Sequence, residues 1–164
     1  MVKHDFGKIL RQYAALKAAL PALIGEEAVN FAKDNFRKQG FHDATVQKWQ
    51  KRSSKAPRNK GRALLVDTGR LKRSVRVTRI SGSKVYIGSD VPYAQIHNEG
   101  GQVTGNANVR AHQRRTRTGR TSVSAHTRKI DFKMPRRQYI GPSVELSRRI
   151  NKMLSKRLSN ALKM

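Results

Sequence analysis

Between Glu99 and Asp131 the chain has no acidic residue, yet it carries seven cations there: Arg110, Arg114, Arg115, Arg117, Arg120, Arg128 and Lys129, set among Gly, Ser, Thr and Asn. Such a stretch cannot bury enough apolar surface to offset its own ordering entropy, so it is expected to lie outside any core. The sequence therefore reads residues 102–132 as a mobile basic segment, a long basic loop inserted before the last strand. The remainder must supply the core, and 164 residues suit a single domain over 1–164 better than two.

The charge imbalance extends along the whole chain. Lys and Arg number 36 against 10 Asp and Glu, a formal net charge of +26 that a small fold tolerates best beside an anionic partner. Without cysteine there is no disulfide framework, no thiolate nucleophile and no cysteine-containing zinc site. The most apolar early stretch, Ala14 to Ile24, is interrupted by Lys17 and Pro21 and falls short of the roughly 20 residues that cross a bilayer. The start of the chain leads into a helical pattern and not into an apolar signal core, so a non-secreted protein with no membrane partner is expected.

Periodicity divides the chain into five parts. Over residues 1–40, Phe6, Ile9, Leu10, Tyr13, Leu16 and Leu20 form one helical stripe and Ile24, Ala28, Phe31, Ala32 and Phe36 a second. Pro21 separates them, which fits a helix pair or one kinked helix, and Gly40 supplies a left-handed stop. Residues 41–64 read as an exposed basic loop containing Lys48, Lys51, Arg52, Lys55, Arg58, Lys60 and Arg62, with Trp49 expected to anchor it on the core. Residues 65–101 begin with a short helix capped by Asp67 or Thr68. Alternation around Val75, Val77, Val85 and Ile87 then predicts a β-hairpin over 74–89, followed by a turn that Gly100 and Gly101 stop.

After the basic segment, residues 133–164 are expected to give a strand near 136–140 and a last helix opened by Gly141-Pro142-Ser143. The apolar stripe Leu146, Ile150, Met153, Leu154, Leu158, Ala161 and Leu162 should pack that helix on the sheet. The fold class is α+β: N-terminal helices, a small antiparallel sheet and a C-terminal helix.

Little in the chain points to catalysis. Histidines at 4, 42, 97, 112 and 126 lack the paired spacings that preorganise a metal site, and there is no Gly-rich phosphate loop or nucleophile elbow. His97-Asn98-Glu99 is superficially like a metal-nuclease motif but lacks matched acidic or histidine ligands, so hydrogen bonding within a turn is the plainer role. No catalytic residue, metal or cofactor is expected.

Several pieces fall in a fixed order: Phe36 before Gly40, Trp49 in its basic stretch, and Leu64 to Ser74 with Asp67, Thr68, Gly69, Arg70 and Leu71. Val85 to Ser89 follows, then Tyr93-Ala94-Gln95-Ile96-His97-Asn98-Glu99-Gly100-Gly101, then Pro135-Arg136-Arg137-Gln138-Tyr139-Ile140-Gly141. Taken in order, these pieces resemble the phage virion morphogenesis, or tail completion, family of Mu-like and P2-like phages. Together they span roughly residues 30 to 145, and the segment from Thr104 to Lys129 departs from a minimal member.

The resemblance implies a non-enzymatic component of a phage or prophage virion, acting at the head–tail junction or tail end. There it would complete the tail, with other phage tail or head–tail connector proteins as partners. It implies a place in the virion, and in the bacterial host cytoplasm during assembly. A protein at that junction is expected to close into a homo-oligomeric ring through a repeated heterologous interface, with exposed strand edges pairing between neighbours. Its cations then either contact DNA non-specifically or dock on acidic virion surfaces. The alternative is a general basic nucleic-acid-binding protein, although the chain lacks an RNA-recognition signature, a zinc finger and an evident recognition helix.

Overall fold

The computed structural model describes residues 6–52 and 61–162. Lys55, Arg58 and Lys60 of the expected basic loop lie outside the described residues. Helix α1 (Phe6–Lys38) is a single element of 33 residues, about 50 Å long at 1.5 Å per residue. It runs through Pro21 without ending there. A proline costs an interior helix one hydrogen bond, but the flanking run of Ala and Leu consists of strong helix formers.

The left-handed stop falls on Gln39, at φ 55°, and not on Gly40 as the sequence predicts. Gln39 holds this strained conformation because its side chain is fixed at both ends: Nε2 donates to the Phe36 carbonyl at 2.6 Å and Oε1 accepts from the Leu64 N–H at 2.5 Å. Gly40 is needed for a different reason. It opens strand β1 (Gly40–His42), where a Cβ would come within 2.7 Å of the Gln47 carbonyl in strand β2 (Val46–Lys48).

Residues 41–64 are therefore only partly loop, since β1 and β2 form a tight antiparallel pair. Helix α2 (Arg70–Ser74) follows Gly69, which occupies the cap position at φ 73°. Of the two expected caps, Thr68 Oγ1 accepts the Arg70 N–H at 3.4 Å from just outside the cap position, while Asp67 pairs instead with Arg62 at 2.8 Å. Strands β3 (Arg76–Ser81) and β4 (Lys84–Gly88) form the predicted hairpin and pack on α1. Helix α3 (Ala94–Glu99) ends at Gly100.

The segment 102–132 is not a loop. Strand β5 (Gly101–Val109) pairs along its whole length with β8 (His126–Met134), and β6 (His112–Thr116) pairs with β7 (Gly119–Val123) farther out. The result is a two-stranded antiparallel ribbon in which backbone groups satisfy one another without a core. Its strands pack chiefly on each other, and every residue from 110 to 122 is exposed. Composition correctly argues against burial, yet a ladder needs none.

The strand expected near 136–140 is absent; the last strand is β8, which ends at Met134. Helix α4 (Val144–Leu162) does form where the stripe predicts, but its main partner is α1 and not a sheet. The β3–β4 hairpin already packs on α1, and Arg149 ties α4 to the helix directly. Its Nη1 lies 2.9 Å from Asp34 and 3.9 Å from Glu27, its Nε 3.2 Å from Glu145, and its guanidinium 5.5 Å from the Phe31 ring centre. Among the described residues the strands pair two by two, and no helix is long and apolar enough to cross a membrane.

The core is built from the C-terminal half of α1 (Ala32, Phe36), with Trp49, Leu64, Leu71, Val75, Val91, Ala94 and Tyr139 closing over it. Phe36 stacks edge-on against Trp49 at 5.6 Å and tilts against Tyr139 at 4.8 Å.

Candidate functional site

The sequence motifs meet around an extended strap, Pro135 to Ile140, that returns from the ribbon to the body. A strap without a neighbouring strand must find other partners for its N–H and C=O groups. Side chains supply most of them. Asn98 Oδ1 accepts the N–H groups of both Tyr139, at 2.9 Å, and Ile140, at 3.0 Å. Trp49 donates its indole N–H to the Gln138 carbonyl, and Asn35 Nδ2 donates to the Tyr139 carbonyl at 3.2 Å. Asn35 is wholly buried and its Oδ1 also accepts the His42 N–H, so one amide joins α1, β1 and the strap.

Arg137 is locked at the centre. Its backbone N–H reaches the His97 carbonyl at 2.8 Å and its Nε the Gln50 carbonyl at 3.1 Å. Tyr139 OH donates to the Ala94 carbonyl at 3.0 Å, and burial pushes the phenol pKa up to about 12. At the other end Ser143 Oγ accepts the Leu146 N–H to cap α4, while Asp43 accepts the Val144 N–H.

Beside the strap lies an open cleft of about 580 Å³, lined by Arg52, Leu65, Asp67 to Leu71, Tyr93, His97 and Arg137 among others. Tyr93 stands edge-on to His97 at 5.8 Å. His97 Nδ1 is buried without a hydrogen-bond partner, and burial followed by the Arg137 cation lowers the pKa of the ring. Both effects disfavour protonation of the imidazole. Among the described residues no three His, Asp or Glu side chains gather to hold a metal ion. The cleft offers shape, a half-exposed aromatic ring and flanking guanidinium groups, which suit recognition of another chain's surface.

The motif positions thus divide by task. Trp49, Leu71 and Ala94 are buried in the core. Asp67, Thr68, Gly69, Arg70, Tyr93 and His97 line the cleft. Gly100, Gly101, Pro135 and Arg136 form the root of the ribbon, where Gly100 sits at φ 73° and a Cβ would come within 2.7 Å of the Arg136 nitrogen. Gly141 closes the strap, its Cα facing the Gln138 side chain.

The candidate basic residues are not one cluster in sequence or in task. Lys48 and Lys51 are exposed near the β1–β2 hairpin, but Arg52 donates to the carbonyls of Arg62 and Ala63, and Arg62 pairs with Asp67. The other seven, Arg110, Arg114, Arg115, Arg117, Arg120, Arg128 and Lys129, all stand exposed on the ribbon. Sequence reasoning passed over Asn35 and Gln39, and took in Asn98 only as a link of the Tyr93 to Gly101 motif, without its role. The first two had a readable signal, because two amides spaced by four interrupt the apolar stripe of Phe31, Ala32 and Phe36. Asn98 had none, since nothing local shows that its carboxamide meets a strap about 40 residues onward.

A family model for the phage virion morphogenesis family matches residues 1–159. The chain belongs to the phage virion morphogenesis family. The match takes in α1, the ribbon, the strap and α4 as far as Ser159. No curated protein and no solved structure gives a significant match. As a member of this structural family, the protein has a role in phage virion assembly, works with other virion proteins, and is associated with the virion.

Proposed function

We propose that this virion morphogenesis protein is a non-enzymatic, single-domain component of the head–tail junction or tail end that completes the tail. On this reading it joins neighbouring tail or connector proteins, closes into a ring of identical subunits, and is made in the bacterial host cytoplasm before incorporation. The observation that carries the reading is that four of the motif positions, Gly100, Gly101, Pro135 and Arg136, root an exposed ribbon in a body whose core and cleft the other motif positions build. Such a design serves attachment between particles better than turnover of a substrate.

The ring is supported by the ribbon's inner half. Partners across an antiparallel ladder share a face, so Val103, Ala107 and Val109 lie with Ile130, Phe132 and Met134 on one side, which is apolar toward the body and ends outward in Arg128 and His126, and Phe132 is 47% exposed. An apolar ribbon face with unpaired edges, repeated in each copy, fits a heterologous contact that closes on itself. The test is a phage lacking this gene product. Expected are filled heads and tails that accumulate unjoined, with complementation restoring joined particles in which cross-linking traps a closed ladder of subunits. Normal yields of infectious particles would overturn the reading. If the purified chain also bound duplex DNA and RNA tighter than about micromolar at 150 mM salt, the general nucleic-acid-binding alternative would take its place.

A further inference from the structure

We infer that the outer half of the ribbon, Arg110 to Ala125, together with Arg128 and Lys129 at the outer end of the inner ladder, grips the phosphate backbone of duplex DNA. This is independent of where in the particle the protein acts, because it concerns what one element binds.

Register fixes the arrangement. On the outer ladder Arg115 stands directly opposite Arg120, while Arg114 faces Thr121 on the other side of the ribbon. Like charges across a ladder repel, and a folded chain normally offsets them with a carboxylate nearby. Here none exists between Glu99 and Asp131, and among the described residues none of the seven ribbon cations forms an ion pair. An anion bridging Arg115 and Arg120 converts the repulsion into two charge-assisted hydrogen bonds.

The side chains favour a nucleic-acid anion over an acidic protein. From His112 to Ser122 the residues are His, Gln, Arg, Arg, Thr, Arg, Thr, Gly, Arg, Thr and Ser. Apart from glycine, each can hydrogen-bond a phosphate oxygen, and those types make most protein contacts to a DNA backbone. Protein interfaces centre on buried aromatic or aliphatic anchors, and this stretch contains none. The shape agrees as well: a five-residue ladder about 17 Å long and two strands wide is the kind of element that the major groove admits. Cations lie on both faces, so phosphates on either side of a groove are within the ribbon's compass.

The test is fluorescence anisotropy of the purified chain on a labelled duplex of mixed sequence, over about 50 to 200 mM salt. It compares the parent with a ribbon variant carrying Arg114→Ser, Arg115→Ser, Arg117→Ser and Arg120→Ser. Each phosphate contact contributes about −0.9 to the slope of log affinity against log salt. Removing four should flatten the slope by about 3 to 4, so that across this range the parent loses on the order of 10²-fold more affinity than the variant. A body variant with Arg148→Gln, Lys152→Gln and Lys156→Gln, all exposed on α4, should keep a slope near the parent's. Trp49 emission, which reports the core, should match in all three proteins and so exclude misfolding. An unchanged slope in the ribbon variant overturns the inference. So does displacement of the duplex by polyglutamate at equal charge concentration, which would make the ribbon a general acid-docking arm.

Discussion

The indole N–H of Trp49 donates to the carbonyl of Gln138 at 2.8 Å, across 89 residues of chain. The ring meanwhile packs against Phe36 in the core. Replacing Trp49 with Phe keeps an aromatic ring but leaves the Gln138 carbonyl without its donor. Destabilisation of about 1 to 3 kcal/mol is expected, read from urea unfolding followed by far-UV circular dichroism. A change under about 0.5 kcal/mol would show that water replaces the indole without cost.

Asn98 holds two backbone donors at once. Asn98→Ala orphans both, and a loss of about 2 to 4 kcal/mol follows from one to two kcal/mol for each. Amide exchange at Tyr139 and Ile140 should accelerate more than exchange within α1. If exchange at these two sites stays at the parent rate, the Asn98 clamp is not what protects them.

The outer ribbon contributes exposure and no core. Excising residues 110–125 and joining Val109 to His126, which are already cross-strand partners, through an Asn-Gly turn should leave the body intact. Stability is expected to move by no more than about 0.5 kcal/mol, as for changes remote from packed groups. A drop in thermal midpoint well beyond that would reveal contacts between ribbon and body that hold the fold.

Stability should also fall on mild acidification. Burial, then Arg137, holds the His97 pKa below the ordinary 6.5; burial, then Lys38 and Arg149, does the same to His42. An unfolded chain protonates both rings at the ordinary value, whereas the folded chain does so only at lower pH. Just below pH 6.5 the unfolded state therefore binds more protons, and stability declines as pH drops through that window. Thermal midpoints recorded from roughly pH 8 to pH 5 should fall below about 6.5, and His97→Gln should flatten the fall. A midpoint that rises toward pH 5 contradicts this sign.

Periodic elements were legible in the sequence and partner-dependent ones were not. The stripe through Phe31, Ala32 and Phe36, the alternation around Val77 and Val85, and the terminal stripe all mark real elements, because burial on one face repeats with the geometry of the backbone. Arg136 to Ile140 carries no such mark: its backbone is satisfied by Asn98, Trp49 and Asn35 from distant places, so an extended strap looks like a strand until those partners are known. The ribbon was masked by composition. Gln102, Thr104, Asn106 and Asn108 alternate with Val103, Ala107 and Val109, a two-residue period that charge and glycine content overshadowed. At the candidate site, the motif positions marked the neighbourhood, while the amides that secure it surfaced only with the fold.

Because both strands of the arm enter the body side by side, a pull on its far end is shared by two covalent backbones and loads none of the rungs between them. Tension would travel to the anchorage at Gly100 and along Pro135 to Ile140, where side-chain amides and an indole grip the peptide groups one after another. Under such a load the weakest point of the arm would lie at its moorings and not along the rope.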